Sequence, residues 1–112
     1  MTVRAVLTFP EPRQPGIAHD ACAVGAQGLA GDRRRRAAVS VVGHDSPGTR
    51  ANLVLDAPTA DVEALAGRLL RVGPVLLAVE PTGNHCAGLY AAVGEAGTVA
   101  VGDVVEVVED AS

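Results

Sequence analysis

The chain opens on TVRAVLTF, where Val3, Ala5, Leu7 and Phe9 fall on one face and Thr2, Arg4 and Thr8 on the other. That period of two predicts a half-buried strand, which Pro10 ends. A Pro-rich connector, EPRQPG, follows, and IAHDACAVGA is a weaker strand candidate closed by the glycines of GLAGD. AAVSVVG predicts a Val-rich strand and HDSPGT a turn-rich loop. In RANLVLD, Ala51, Leu53 and Leu55 alternate with Arg50, Asn52, Val54 and Asp56, which sets Arg50 and Asn52 on one side.

One short helix is expected next. Pro58, Thr59 and Asp61 make a helix start, Val62, Leu65, Ala66 and Leu69 recur at helical spacing, and Gly67 or Gly73-Pro74 marks the end. VLLAV is a continuous apolar run of strand length, and AGLYAAV, behind Asn84, is a second, small-residue helical candidate. TVAVGDVVEVVED predicts two strands about Gly102-Asp103, a hairpin signal. Short alternating runs punctuated by Gly and Pro predict a mainly β fold, a small barrel with one or two short helices.

Composition narrows this further. At 112 residues the chain is the size of one domain, 1–112. Apolar residues make up 48% of it, with one Phe, one Tyr and no Trp, so the core is expected to be Val, Leu and Ala. A net charge of -4 argues against nucleic acid as partner. All nine basic side chains are arginine. Without lysine there is neither a pyridoxal-phosphate Schiff base nor a P-loop. No basic-then-apolar leader opens the chain and no apolar run approaches the roughly 18 residues of a membrane span, so a cytoplasmic protein that does not enter the membrane is expected. In that compartment Cys22 and Cys86 are expected as free thiols.

Three stretches carry candidate chemistry. The block Arg33–Arg36 reads either as a solvated face or as an anion site, since guanidinium groups match phosphate oxygens. Arg50 and Asn52 suit a polar ligand lying against the strand, or else hold a neighbouring loop. In PTGNHCAGLYAAV, a cap at Asn84 would put Cys86 in the first turn of a helix, where the dipole and a protonated His85 favour the thiolate. A thiolate binds soft metals and attacks sulfur; the alternative is a small hydrophobe packed under the loop. Cys22, beside Asp20, is expected to be the less reactive thiol. His19, Cys22, His85 and Cys86 also make a four-ligand zinc set on paper.

The succession GLAGDRR, RANLVLD, LRVGPVLLAV, a loop with Cys86, and VAVGDVVEV resembles the MOSC family, named for the C-terminal domain of molybdenum cofactor sulfurases, over nearly the whole chain from about Val3 to Val108. The resemblance implies a small MOSC-like β-barrel that binds or serves the molybdenum cofactor (molybdopterin), with Cys86 as the reactive residue. In relatives that reduce N-hydroxylated compounds, the equivalent thiol is a molybdenum ligand; in sulfurases the domain is thought to receive the cofactor and pass sulfur to it. By the same likeness Arg50 and Asn52 match the R-x-N segment associated with the pterin, and Gly31, Asp32 and Arg33 match the glycine-aspartate turn, with His85 beside the thiol. The segment between Arg36 and Arg50 is shorter than is usual in the family, which takes away part of the expected pterin wall. Three activities follow as expectations: a small molybdenum-dependent reductase served by an electron-transfer partner, a sulfur (persulfide) or cofactor carrier serving a molybdoenzyme, and a reduced barrel acting as an interaction or anion-binding module. Assembly as a homodimer is compatible with each. Sulfurases generate their persulfide on a separate pyridoxal-phosphate domain, so this lysine-free chain is expected to need a partner that mobilises sulfur.

Overall fold

A computed structural model describes residues 1–33, 37–46 and 50–108. The fold is mainly β, a curled half-barrel sheet with one short helix. The elements are β1 (Val3–Thr8), β2 (Ile17–His19), β3 (Ala21–Gly25), β4 (Gly28–Leu29), β5 (Val39–Gly43), β6 (Leu53–Leu55), α1 (Thr59–Glu63), β7 (Leu69–Val72), β8 (Val75–Pro81), β9 (Leu89–Glu95), β10 (Gly97–Ala100) and β11 (Val105–Val108).

Eight strands form one sheet in the order β11-β7-β8-β9-β5-β6-β1-β2, and β10-β3-β4 form a smaller one. The large sheet curls until the start of β11 reaches the start of β1. Thr2 bridges Val104, and Val3 N–H donates to the Asp103 carbonyl while Val105 N–H donates to that of Met1. Curling lets the aliphatic faces of opposite strands fill one core, in which Val3, Val6, Val39, Leu53, Leu55, Leu70, Leu77 and Leu89 are almost wholly buried.

Strand β1 keeps its place but not its expected face. Its pairing with β6 shifts register between Val3 and Ala5, a bulge that inserts one residue and reverses the side-chain parity beyond it. Val3 therefore points inward, but so do Val6 and Thr8, while Ala5 and Leu7 are only half-buried. The buried Thr8 hydroxyl is satisfied by the His19 ring at 2.8 Å.

Other expectations are corrected in the same way. IAHDACAVGA splits at Asp20 into β2 and β3, which belong to different sheets. The helix is shorter than its apolar spacing, since Leu69 starts β7 and Gly73-Pro74 forms the two-residue turn between Val72 and Val75. AGLYAAV is strand: Leu89–Glu95 pairs along both β8 and β5, and its β-sheet partners override the helix propensity of its alanines. The two strands about Gly102-Asp103 both form, yet β10 pairs β3 and β11 pairs β7, so they bridge two sheets and make no hairpin.

Candidate functional site

The candidate residues collect at two ends of the central strands. β6 runs parallel to β5, with Val41 opposite Leu53, so Arg50, Ala51 and Asn52 lead in at the start of both strands. β9 runs antiparallel to β5, with Val41 opposite Leu89, so the hairpin that precedes Leu89 projects past the opposite end, beyond Gly43. Arg50 and Asn52 thus belong to one end of the strand layer and His85 and Cys86 to the other.

At the first end Asn52 is 0% exposed. Ala51, Asn52 and Leu53 are buried in succession, because the alternation expected from RANLVLD begins only with β6 at Leu53. The Asn52 oxygen Oδ1 accepts from the Ser40 backbone N–H at 3.1 Å and from its hydroxyl at 3.2 Å. Its Nδ2 donates to the Leu7 carbonyl at 3.1 Å and to Asp32 Oδ2 at 3.0 Å. An asparagine amide has two N–H donors and two lone pairs, so all four are used within the protein. The other Asp32 oxygen accepts the Phe9 backbone N–H at 2.7 Å. Arg50, exposed, lies over the Phe9 ring at 4.5 Å and donates to the carbonyls of Gln14 at 2.9 Å and Glu11 at 3.1 Å. Through these two contacts Arg50 holds the neighbouring loop. Arg33 is exposed beside Asp32; Arg34, Arg35 and Arg36 of the arginine block lie outside the described residues.

At the second end, residues 82–88 join β8 to β9, with Cys86 exposed. Asn84 does not cap a helix. Its Oδ1 accepts the Cys86 backbone N–H at 2.7 Å, its Nδ2 reaches the Tyr90 hydroxyl, and the Thr82 hydroxyl donates to the Cys86 carbonyl at 3.0 Å. The helix-dipole argument for Cys86 falls with the helix; access is what distinguishes this thiol. Glu63, at the end of α1, accepts the Gly88 N–H at 2.9 Å, and together with Thr82, Asn84 and Cys86 it borders a shallow depression of about 330 Å³. His85 is exposed on the same hairpin.

The helix itself is capped from a distance, a feature the sequence reading missed. Pro58 stands at its N-cap and has no side-chain acceptor, and Asp45 Oδ1 accepts the Thr59 N–H instead at 2.7 Å. That N–H, and then the Thr59 hydroxyl, hold the Asp45 carboxyl below the usual carboxylate range. The only forward signal was the Asp in the turn-rich loop, since Asp is a strong capping acceptor.

Cys22 and Cys86 are both free, and Cys22 is buried in β3. Burial pushes the Cys22 thiol up, with the Asp32 carboxylate adding to it. The opposing charge is that of Asp32, where the sequence suggested Asp20. The paper zinc set does not assemble: His19 faces Thr8, Cys22 faces the core, and among the described residues no group of three or more His, Cys, Asp and Glu is placed to hold a metal ion. Among them, too, no helix is long and apolar enough to cross a membrane.

The MOSC resemblance of the sequence implies a phosphate-bearing pterin with molybdenum, and the residues can be tested against it. The expected set, Cys86 with Asp32, Arg33, Arg50, Asn52 and His85, does not fit one pterin site. Asn52 has no hydrogen-bonding capacity left, Asp32 is turned onto Phe9 and Asn52, and Cys86 and His85 lie at the other end. No buried side-chain polar atom among the described residues lacks a partner that a ligand would supply.

No family model matches the chain, and no curated protein does. Solved structures do. A hypothetical protein of known crystal structure superposes with a TM-score of 0.76 at 18% identity, over 100% of this chain and 70% of its own. YiiM from Escherichia coli superposes with a TM-score of 0.69 at 16% identity, over 100% of this chain and 72% of its own. At these identities the likeness is one of fold alone, and the fold shared with YiiM agrees with the MOSC resemblance of the sequence.

Proposed function

We propose that the chain is a MOSC-like carrier domain that works through the thiol of Cys86, accepting a sulfane sulfur from a persulfide-bearing donor and presenting it to a molybdoenzyme. The observation that carries this reading is the exposed Cys86 on a hairpin whose backbone is held by Asn84 and Thr82. In the transfer the Cys86 thiolate attacks the outer sulfur of the donor R–S–SH. A new S–S bond forms on Cys86, the donor S–S bond breaks, and the donor leaves as a thiolate that takes up a proton. No oxidant or metal is needed, and the Thr82 and Asn84 contacts keep the accepting sulfur at a solvent-facing position.

The reductase reading, with Cys86 on molybdenum and N-hydroxylated compounds as substrates, ranks second. It needs the pterin-associated residues around the same thiol. Among the described residues the depression beside Cys86 is bordered by the Glu63 carboxylate and by no arginine, which disfavours a phosphate-bearing ligand there.

Both readings are tested on protein purified from a host that makes the molybdenum cofactor. After incubation with cysteine persulfide, mass spectrometry is expected to find one added sulfur on Cys86 and none on Cys22, with no stoichiometric molybdenum or pterin. Molybdenum and pterin bound through Cys86 would move the conclusion to the reductase. Neither sulfur nor molybdenum would leave the barrel as an interaction or anion-binding module.

A further inference from the structure

We infer that the R-x-N segment and the glycine-aspartate turn form a structural clasp in this chain, fastening the Pro-rich loop 11–15 over the end of the barrel, and that they are not a ligand site. Three contacts meet at Phe9. Its backbone N–H is held by Asp32, its ring is covered by the Arg50 guanidinium, and Gly16 packs so closely on the ring that a Cβ there would lie 2.4 Å from it. Arg50 spans from that ring to the carbonyls of Glu11 and Gln14, so one side chain fixes both the loop and the Phe9 ring beneath it. Next to it, Asn52 joins β1, β5 and the Asp32 turn through Leu7, Ser40 and Asp32.

The arrangement gives each polar group a protein partner. A buried amide with four satisfied bonds is a specific cross-link; using it for a ligand would mean breaking at least one of them. Two of the Arg50 contacts are to main-chain carbonyls of the loop, so an anion that drew the guanidinium away would release it. The inference does not depend on what Cys86 carries.

Two pairs of variants of the full chain test it. In the first, Arg50→Ala is compared with wild type by limited trypsin digestion read by mass spectrometry, since Arg13 sits in the clasped loop. Cleavage after Arg13 is expected to rise about tenfold or more, as the loop loses its anchors. In the second, Asn52→Asp sets a carboxylate against Asp32 and is expected to lower the unfolding midpoint by roughly 5–15 °C, while adding Asp32→Asn restores a donor to that contact and recovers part of the loss. Inorganic phosphate and pyrophosphate at millimolar concentration are expected to stabilise wild type and Arg50→Ala equally. Unchanged cleavage after Arg13, no recovery in the double variant, or a phosphate-induced stabilisation lost in Arg50→Ala would each overturn the clasp.

Discussion

Glu63 accepts the backbone N–H of Gly88 at 2.9 Å, so the last residue of α1 holds the base of the hairpin that carries Cys86. Gly88 is buried, and removing this acceptor leaves an N–H whose desolvation is uncompensated. Glu63→Ala is expected to cost about 1–2 kcal/mol in chemical denaturation, with faster amide exchange at Gly88 as the local sign. Glu63→Gln keeps an acceptor oxygen and is expected to recover most of the protection.

The hairpin contains two glycines with positive φ whose surroundings differ. Gly88, at φ 89°, would place a Cβ 2.2 Å from the Val41 carbonyl oxygen, which is backbone and cannot move aside cheaply. Gly83, at φ 74°, would meet nothing within 4 Å. Alanine at position 83 is expected to cost about 1 kcal/mol from backbone strain alone, and at position 88 about 3 kcal/mol or more. Urea midpoints of the two variants measure the difference. Equal losses would mean that the approach of β9 to β5 at Val41 is looser than described.

What the sequence disclosed, and what it hid, follows from the range of the interactions. The strands at Val3 and Leu53 were legible from their period of two, and those at Val39 and Val75 from apolar runs of strand length. AGLYAAV was misread because alanine-rich runs fit a helix locally, and only pairing with β8 and β5 decides for strand. The bulge between Val3 and Ala5 leaves no mark in the pattern, so Thr8 was assigned to solvent. At the candidate site, the position of Cys86 behind a Pro-Thr-Gly-Asn turn was legible, but its exposure was not, because the helix expected after it is strand β9. The saturation of Asn52 was not, because its partners Leu7, Asp32 and Ser40 are distant in sequence.

The distant cap of α1 gives the fold a defined acid response. The folded Asp45 carboxyl titrates below its unfolded value of about 3.9, so its stabilising effect is full above that value and is lost as pH falls through the folded one. Asp45→Ala is therefore expected to melt below wild type from pH 5 to about pH 8, with the gap closing below about pH 4. Thermal scans of both proteins across that range check the sign. A gap that persists unchanged to about pH 2 would show that the charge on Asp45 contributes nothing to the cap.

The two thiols provide the most direct probe of the proposed function. Cys86 is exposed, whereas Cys22 is buried, donates weakly to the Ala23 and Ala30 carbonyls, and has its thiol pushed up by burial and by Asp32. A limiting alkylating reagent at neutral pH is expected to label Cys86 at least tenfold faster, because Cys22 reacts only through local opening of β3. Cys86→Ser should leave a single slow phase and abolish sulfur loading from cysteine persulfide, while Cys22→Ser should leave both properties of Cys86 intact and cost only core packing. Partial denaturation separates access from chemistry: in urea concentrations that unfold the chain, the rates for the two cysteines should converge. Equal labelling in the folded state would mean that β3 opens as readily as the hairpin is exposed, and sulfur loading that survives Cys86→Ser would remove Cys86 from the carrier role.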